Sequence, residues 1–169
     1  MRVFLAALAA LALLSSTANA DVVEEVLGCK GNPCIVTYSP GGTIKTFEEA
    51  AEAIRNGARE LVVIEGPCMS ACTILIDMVP EKVCLKPLAK LGFHRGSGPT
   101  LKYLNEMPLY WYTVWERFDI SYSPKVQEWI NSQGGLPKDG TFIYMTTSAA
   151  RTIWKTCSSQ QVFQAHGLY

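Results

Sequence analysis

The sequence predicts an α/β domain built from crossover units, and three observations carry that prediction. Strand-like and helix-like segments alternate from Cys34 to His94. One strand, "ELVVIEG" (60–66), is a continuous apolar run of the kind buried on both faces of a parallel sheet. The links between segments are short and marked by glycine and proline, as at "PGG" (40–42) and "GP" (66–67).

Each element has a local reason. "CIVTYS", from Cys34, is a short β-branched strand ended by Pro40-Gly41-Gly42. Thr46 with Glu49 three residues on reads as a capping box for "FEEAAEAIRNG", with Ala50, Ala53 and Ile54 on the buried stripe and Gly57 as the stop. After "ELVVIEG", Gly66 allows a sharp turn at "GPCMS" into a short apolar helix, "ACTILIDMV", which Pro80 halts. "KVCLKP" and "AKLGFH" are two further strands. Residues 100–118 carry Leu101, Leu104, Tyr110, Trp111, Val114, Trp115 and Phe118 at helical steps, interrupted at Pro108. This stripe reads as packing on the sheet, with a contact surface as the alternative. Ser123-Pro124 opens another helix that ends before Gly134-Gly135. "TFIYMT" is a final strand and "TSAARTIWKTC" a closing helix.

The first twenty residues have one positive charge (Arg2), an apolar run from Val3 to Leu14 and an Ala18-Asn19-Ala20 finish. That is the pattern of a secretory signal cut before Asp21, and the run is short for a bilayer span of about 20 residues. Residues 21–169 are then expected as a single exported domain, periplasmic or extracellular, with no membrane attachment after cleavage. A chain of about 150 residues buries roughly 70% of its extended surface, enough for a real core. Loss of Arg2 takes the fifteen Lys and Arg to fourteen, against fifteen Asp and Glu. Near-neutral, mixed charge excludes a basic stripe for nucleic acid.

Six cysteines, Cys29, Cys34, Cys68, Cys72, Cys84 and Cys157, remain in the mature chain. An even count in an oxidising compartment reads as disulfides, though sequence does not choose among 15 connectivities. Cys29–Cys34 around the turn-forming "KGNP" is the expected local pair, and Cys68 or Cys72 with Cys84 is another candidate. Without a Cys-x-x-Cys pair and with two histidines, no metal site and no cofactor are expected.

Ser70 raises the chemical question. A hydroxyl becomes a nucleophile when a base is within hydrogen-bond reach and free N–H groups await the oxyanion. A strand-to-helix turn lifts the side chain clear and supplies such amides, here that of Ala71. The "SPGG" turn (39–42) can bring a second donor, and His94 is the candidate base; Lys86 and Lys90 are lesser ones. Taken singly, Ser70 also reads as a helix cap and His94 as a strand-end residue.

"SPGG", "GPCMS" and "LGFH" occur in the order, and nearly at the spacing, of the Clp protease proteolytic subunit: Gly42 to Ser70 is 28 residues and Ser70 to His94 is 24. The chain resembles the Clp/crotonase group, in particular its small exported, cysteine-containing bacterial members. The resemblance covers residues 33–96 well and the C-terminal third loosely. It implies a Clp/crotonase-like spiral of β-β-α units with a helical C-terminal part. It also implies Ser70 as nucleophile, His94 as base, Gly42 and Ala71 as oxyanion donors and Gly41 as the shaper of the turn. The family's acid does not transfer: alignment puts Phe142 or Ile143 in its place, and Asp139 just upstream is the substitute candidate. Two functions follow. One is an ATP-independent serine hydrolase acting on peptides or small esters; the other is a decayed module of the same fold, used for binding or assembly as a homo-oligomer. Acyl-thioester chemistry ranks last, because coenzyme A is not expected outside the cytoplasm.

Overall fold

In the computed structural model, residues 22–96, 122–137 and 139–159 are described. The expected signal segment 1–20, the aromatic stripe 100–118 and the last ten residues lie outside them.

After a helical turn at 22–27, the chain forms β1 (Cys34–Val36), α1 (Ile44–Arg55), β2 (Val62–Ile64), β3 (Pro67–Met69), α2 (Ala71–Met78), β4 (Val83–Leu85) and β5 (Lys90–Phe93). α3 (Pro124–Ser132), β6 (Ile143–Met145), α4 (Thr147–Ala150) and β7 (Lys155–Thr156) follow. The fold is mixed α/β. One sheet has the order β1-β2-β4-β7 and is parallel throughout; the second has the order β3-β5-β6, with β3 and β5 parallel and β6 antiparallel to β5.

The path between the sheets repeats. Each of β1, β2 and β4 leaves the first sheet and continues into the second, as the Ser39 bridge to Cys68, as β3 and as β5. A helix follows the first two of these strand pairs. Parallel neighbours therefore end side by side at one edge of the second sheet, where Pro40, Ser70 and His94 emerge.

The core lies around the first sheet and the helices. All three residues of β2 and of β4 are buried, as the apolar run of "ELVVIEG" requires. α1 buries Phe47, Ala50, Ala51, Ala53 and Ile54, and packs on α2, whose Ala71–Ile76 stretch is wholly buried. Trp154 is 2% exposed, and its indole N–H donates to the Ile76 carbonyl at 3.1 Å.

Several expectations need correction. α1 begins at Ile44 with Thr43 in the cap position, so Thr46 sits in the first turn and the Thr46–Glu49 capping box does not form. Phe47, once buried, draws the helix start upstream. The turn at 66–70 contains a strand, β3, because residues 67–69 pair in register with 90–92. Gly66 has no positive φ; a Cβ there would collide with the Thr37 carbonyl, so it permits close strand approach. The closing helix stops at Ala150, after which Lys155–Thr156 joins β4 as a strand.

The disulfides explain that last change. Cys84 pairs with Cys157, Cα atoms 4.9 Å apart, which draws residue 157 to the edge of β4. Cys29–Cys34 is the expected local bridge. Cys68 and Cys72 pair with each other and not with Cys84, their Cα atoms 5.4 Å apart across the Ser70 turn. Three disulfides fit an exported protein. No described helix is long and apolar enough to cross a membrane.

Candidate active site

Ser70 stands between β3 and α2 with φ 54° and ψ −127°, and it is the one non-glycine residue among those described with positive φ. Such a conformation costs about 1–3 kcal/mol, which the surrounding contacts must supply. Three of those contacts are visible. The Ser70 amide donates to the Gly92 carbonyl at 2.9 Å, tying the turn to β5. The Cys68–Cys72 bridge closes a ring around it, and both cysteines are fully buried. Gly41 presses on it from the other side: a Cβ at Gly41 would lie 2.6 Å from Ser70 Cβ and 3.0 Å from the Ala71 nitrogen. Gly41 has φ +84°, and both restrictions demand glycine.

His94 follows β5 directly. Its Nε2 lies 2.6 Å from Ser70 Oγ, a hydrogen bond across 24 residues of sequence. Burial lowers the imidazole below its ordinary pKa of 6.5, which favours the neutral ring at neutral pH. A neutral imidazole whose Nε2 accepts from the serine carries its proton on Nδ1. That Nδ1 is buried and has no hydrogen-bond partner among the described residues.

The ring is held by an aromatic contact. Phe142 packs on it with centroids 4.5 Å apart at 43°, and Tyr144 stacks beyond Phe142 at 6.2 Å. Asp139 does not reach His94: its exposed carboxylate accepts from the amide and hydroxyl of Thr141 at 3.0 and 2.6 Å, which holds its pKa below the usual value. Lys86 pairs with Glu65 at 2.5 Å, and Lys90 sits 4.0 Å over the Tyr144 ring. Each is engaged away from the serine.

The two glycine- and serine-bearing turns lie side by side. Ser39 N donates to Pro67 O and Met69 N to Ser39 O, so the 40–42 turn runs beside the Ser70 turn. The amides of Gly41, Gly42 and Ala71 donate to no described residue. Two polar contacts escaped the sequence reading. Thr73 Oγ1 donates to the Ser70 carbonyl at 2.7 Å and meets Tyr122 OH at 2.8 Å. Ser123 is the expected cap of α3, but its side chain makes no capping bond: its amide and hydroxyl donate to Asp77 at 2.5 and 2.7 Å. Among the described residues no group of three His, Cys, Asp or Glu side chains is placed to hold a metal ion.

Chemically, the arrangement offers a hydroxyl with a neutral base on its oxygen and free backbone N–H groups beside it. Compared with known proteins, the chain matches neither a family model nor a curated sequence.

Proposed function

We propose that the protein is an exported serine hydrolase of Clp/crotonase-like fold, working without ATP on peptides or small esters. The observation that carries the reading is the 2.6 Å hydrogen bond between His94 Nε2 and Ser70 Oγ, made by a serine held at positive φ. An ordinary helix cap would be in extended backbone and would turn its oxygen to the helix amides. Ser70 does neither: its side chain makes no capping bond. The repeated passage of β1, β2 and β4 from one sheet into the other supports the strand-strand-helix spiral.

The steps follow from the residues. His94 Nε2 accepts the Ser70 hydroxyl proton as Oγ bonds to the substrate carbonyl carbon. The oxygen gains the electron pair of the broken C=O π bond and is met by the Ala71 amide and that of Gly41 or Gly42. The imidazolium then protonates the leaving amine or alkoxide, and water repeats the sequence on the acyl-serine. Phe142 orients the ring by contact, in place of a carboxylate on Nδ1.

One observation favours the second reading, a binding or assembly module that has lost catalysis: the Nδ1 proton faces no acceptor among the described residues. Turnover separates the two. The hydrolase reading expects release of p-nitrophenol from short-chain esters, with an acyl-enzyme burst, by the oxidised protein. Ser70→Ala and His94→Ala should abolish it. Equal background rates in all three proteins would leave the module reading, to be pursued through oligomer size.

A further inference from the structure

We propose that Thr73 and Tyr122 are positioning residues that aim the Ala71 amide at the oxyanion. The proposal rests on the hydrolase reading and adds a part to it. Its basis is the planarity of the peptide group: the Ser70 carbonyl and the Ala71 N–H belong to one rigid unit, and in a trans peptide they point in opposite directions. Fixing the carbonyl therefore fixes the direction of the N–H.

The Ser70 carbonyl is held unusually. At the caps Ser123 and Thr146 the carbonyl accepts from the amide four residues on, Gln127 and Ala150, and at Thr43 from the amides three and four residues on, Thr46 and Phe47. At Ser70 it accepts from the amide of Thr73 at 2.9 Å and from the hydroxyl of the same residue at 2.7 Å, three residues on. The positive φ of Ser70 turns its peptide out of the helical run, and the threonine side chain meets the carbonyl there.

A hydroxyl has one proton. Thr73 Oγ1 spends it on the Ser70 carbonyl, so in the 2.8 Å contact with Tyr122 the phenol is the donor. The chain of donation runs Tyr122 OH to Thr73 Oγ1 to Ser70 O, and each bond polarises the next. A carbonyl accepting two hydrogen bonds makes its own peptide N–H, that of Ala71, a stronger donor. Burial pushes the Tyr122 phenol up to about 12, so the donor keeps its proton throughout the working pH range.

Tyr122 is itself fixed. Its ring packs edge-on against Phe93 at 5.5 Å, and the next residue, Ser123, is bound through two atoms to Asp77 of α2. The network thus fastens α3 to the helix that follows the nucleophile. Neither Thr73 nor Tyr122 hydrogen-bonds to His94 or to the serine hydroxyl. Their loss should weaken the oxyanion site and leave the base alone.

The test compares Thr73→Val, Thr73→Ser and Tyr122→Phe with wild type in two measurements. These are the second-order rate of phosphonylation by a fluorophosphonate, whose P=O occupies the oxyanion position, and the thermal midpoint. One oxyanion donor is worth about 10²–10³ in rate, so a misaimed donor should cost about tenfold in Thr73→Val. Tyr122→Phe should be slowed about threefold, as expected of a donor one bond further away. Thr73→Ser should restore the rate, and the pH profile should keep its shape in every variant. Full-rate labelling of folded Thr73→Val and Tyr122→Phe would overturn the proposal while leaving the hydrolase reading intact. So would a Thr73→Ser variant as slow as Thr73→Val. If Thr73→Val does not fold, Tyr122→Phe decides alone. An inert wild type would remove both readings together.

Discussion

Replacing Gly41 by alanine tests the contact on which the site's geometry depends. The new Cβ would stand 2.5 Å from the Met69 carbonyl oxygen, 2.6 Å from Ser70 Cβ and 3.0 Å from the Ala71 nitrogen, where ordinary contact begins at 3.4 Å. Two of those three are backbone atoms and cannot rotate away. Positive φ also costs an alanine about 1–2 kcal/mol, and overpacking adds about 1–3 kcal/mol. Gly57 separates the two effects: it has φ +97° and nothing within 4 Å of its Cβ position. Gly57→Ala should lose about 1 kcal/mol, since the lower unfolded-state entropy of alanine offsets part of the strain. Gly41→Ala should lose about 2–4 kcal/mol. With a urea slope of about 2 kcal/mol/M, the difference appears as a midpoint about 1 M lower for Gly41→Ala. In the folded fraction, Ser70 Cβ must also retreat by about 1 Å, a displacement that can cost about 10²-fold in reactivity. Equal urea midpoints for the two variants, with equal labelling of Ser70, would refute the packing of the glycine turn on the serine turn.

The disulfides should divide stability from reactivity. The chain-entropy relation gives about 4 kcal/mol for Cys84–Cys157, with its separation of 73, and about 2 kcal/mol for Cys68–Cys72, with its separation of 4. The Cys84/Cys157 double serine variant should therefore unfold at lower urea. The Cys68/Cys72 pair of substitutions should cost more of the labelling rate, and the reverse order would count against the bridge as a brace for Ser70. For pH, burial depresses His94, so the neutral ring is favoured in the fold. Its contribution to stability is present above pH 6.5 and lost as pH falls through the lower folded value; labelling should fall in the same acid window. A limb at or above pH 6.5 would contradict the depression of the His94 pKa by burial. Phe142→Asp puts a carboxylate beside the ring and should raise the His94 pKa by about 1–3 units, moving that limb upward in the same assay. An unmoved limb would mean that residue 142 does not face the imidazole.

Much of this architecture was legible because its signals are local. The apolar run 62–64, the break at Pro40-Gly41-Gly42 and the Ser123-Pro124 start are written in adjacent residues. The meeting of Ser70 with His94 was legible only through the resemblance to the Clp/crotonase group that three short motifs carry. What escaped depends on partners far apart in sequence. β3 is three residues long and includes a proline, too short to announce itself by alternation. The closing helix has helical sequence, yet the Cys84–Cys157 bridge and the buried Trp154 override it. Connectivity of six cysteines follows from the fold and not from spacing. The Thr73–Tyr122 contact spans 49 residues, and neither residue carries a local sign of it. Phe142 stood in the alignment where an acid was sought, and its contact with His94 gives that departure a physical meaning.

The most direct test of the central claim is covalent. The oxidised mature protein is treated with a fluorophosphonate and its intact mass read beside Ser70→Ala and His94→Ala. The account predicts one adduct on wild type, mapped to Ser70 by peptide digestion and absent from both variants. A folded wild-type protein with three intact disulfides and no adduct, or an adduct that survives Ser70→Ala, would contradict it.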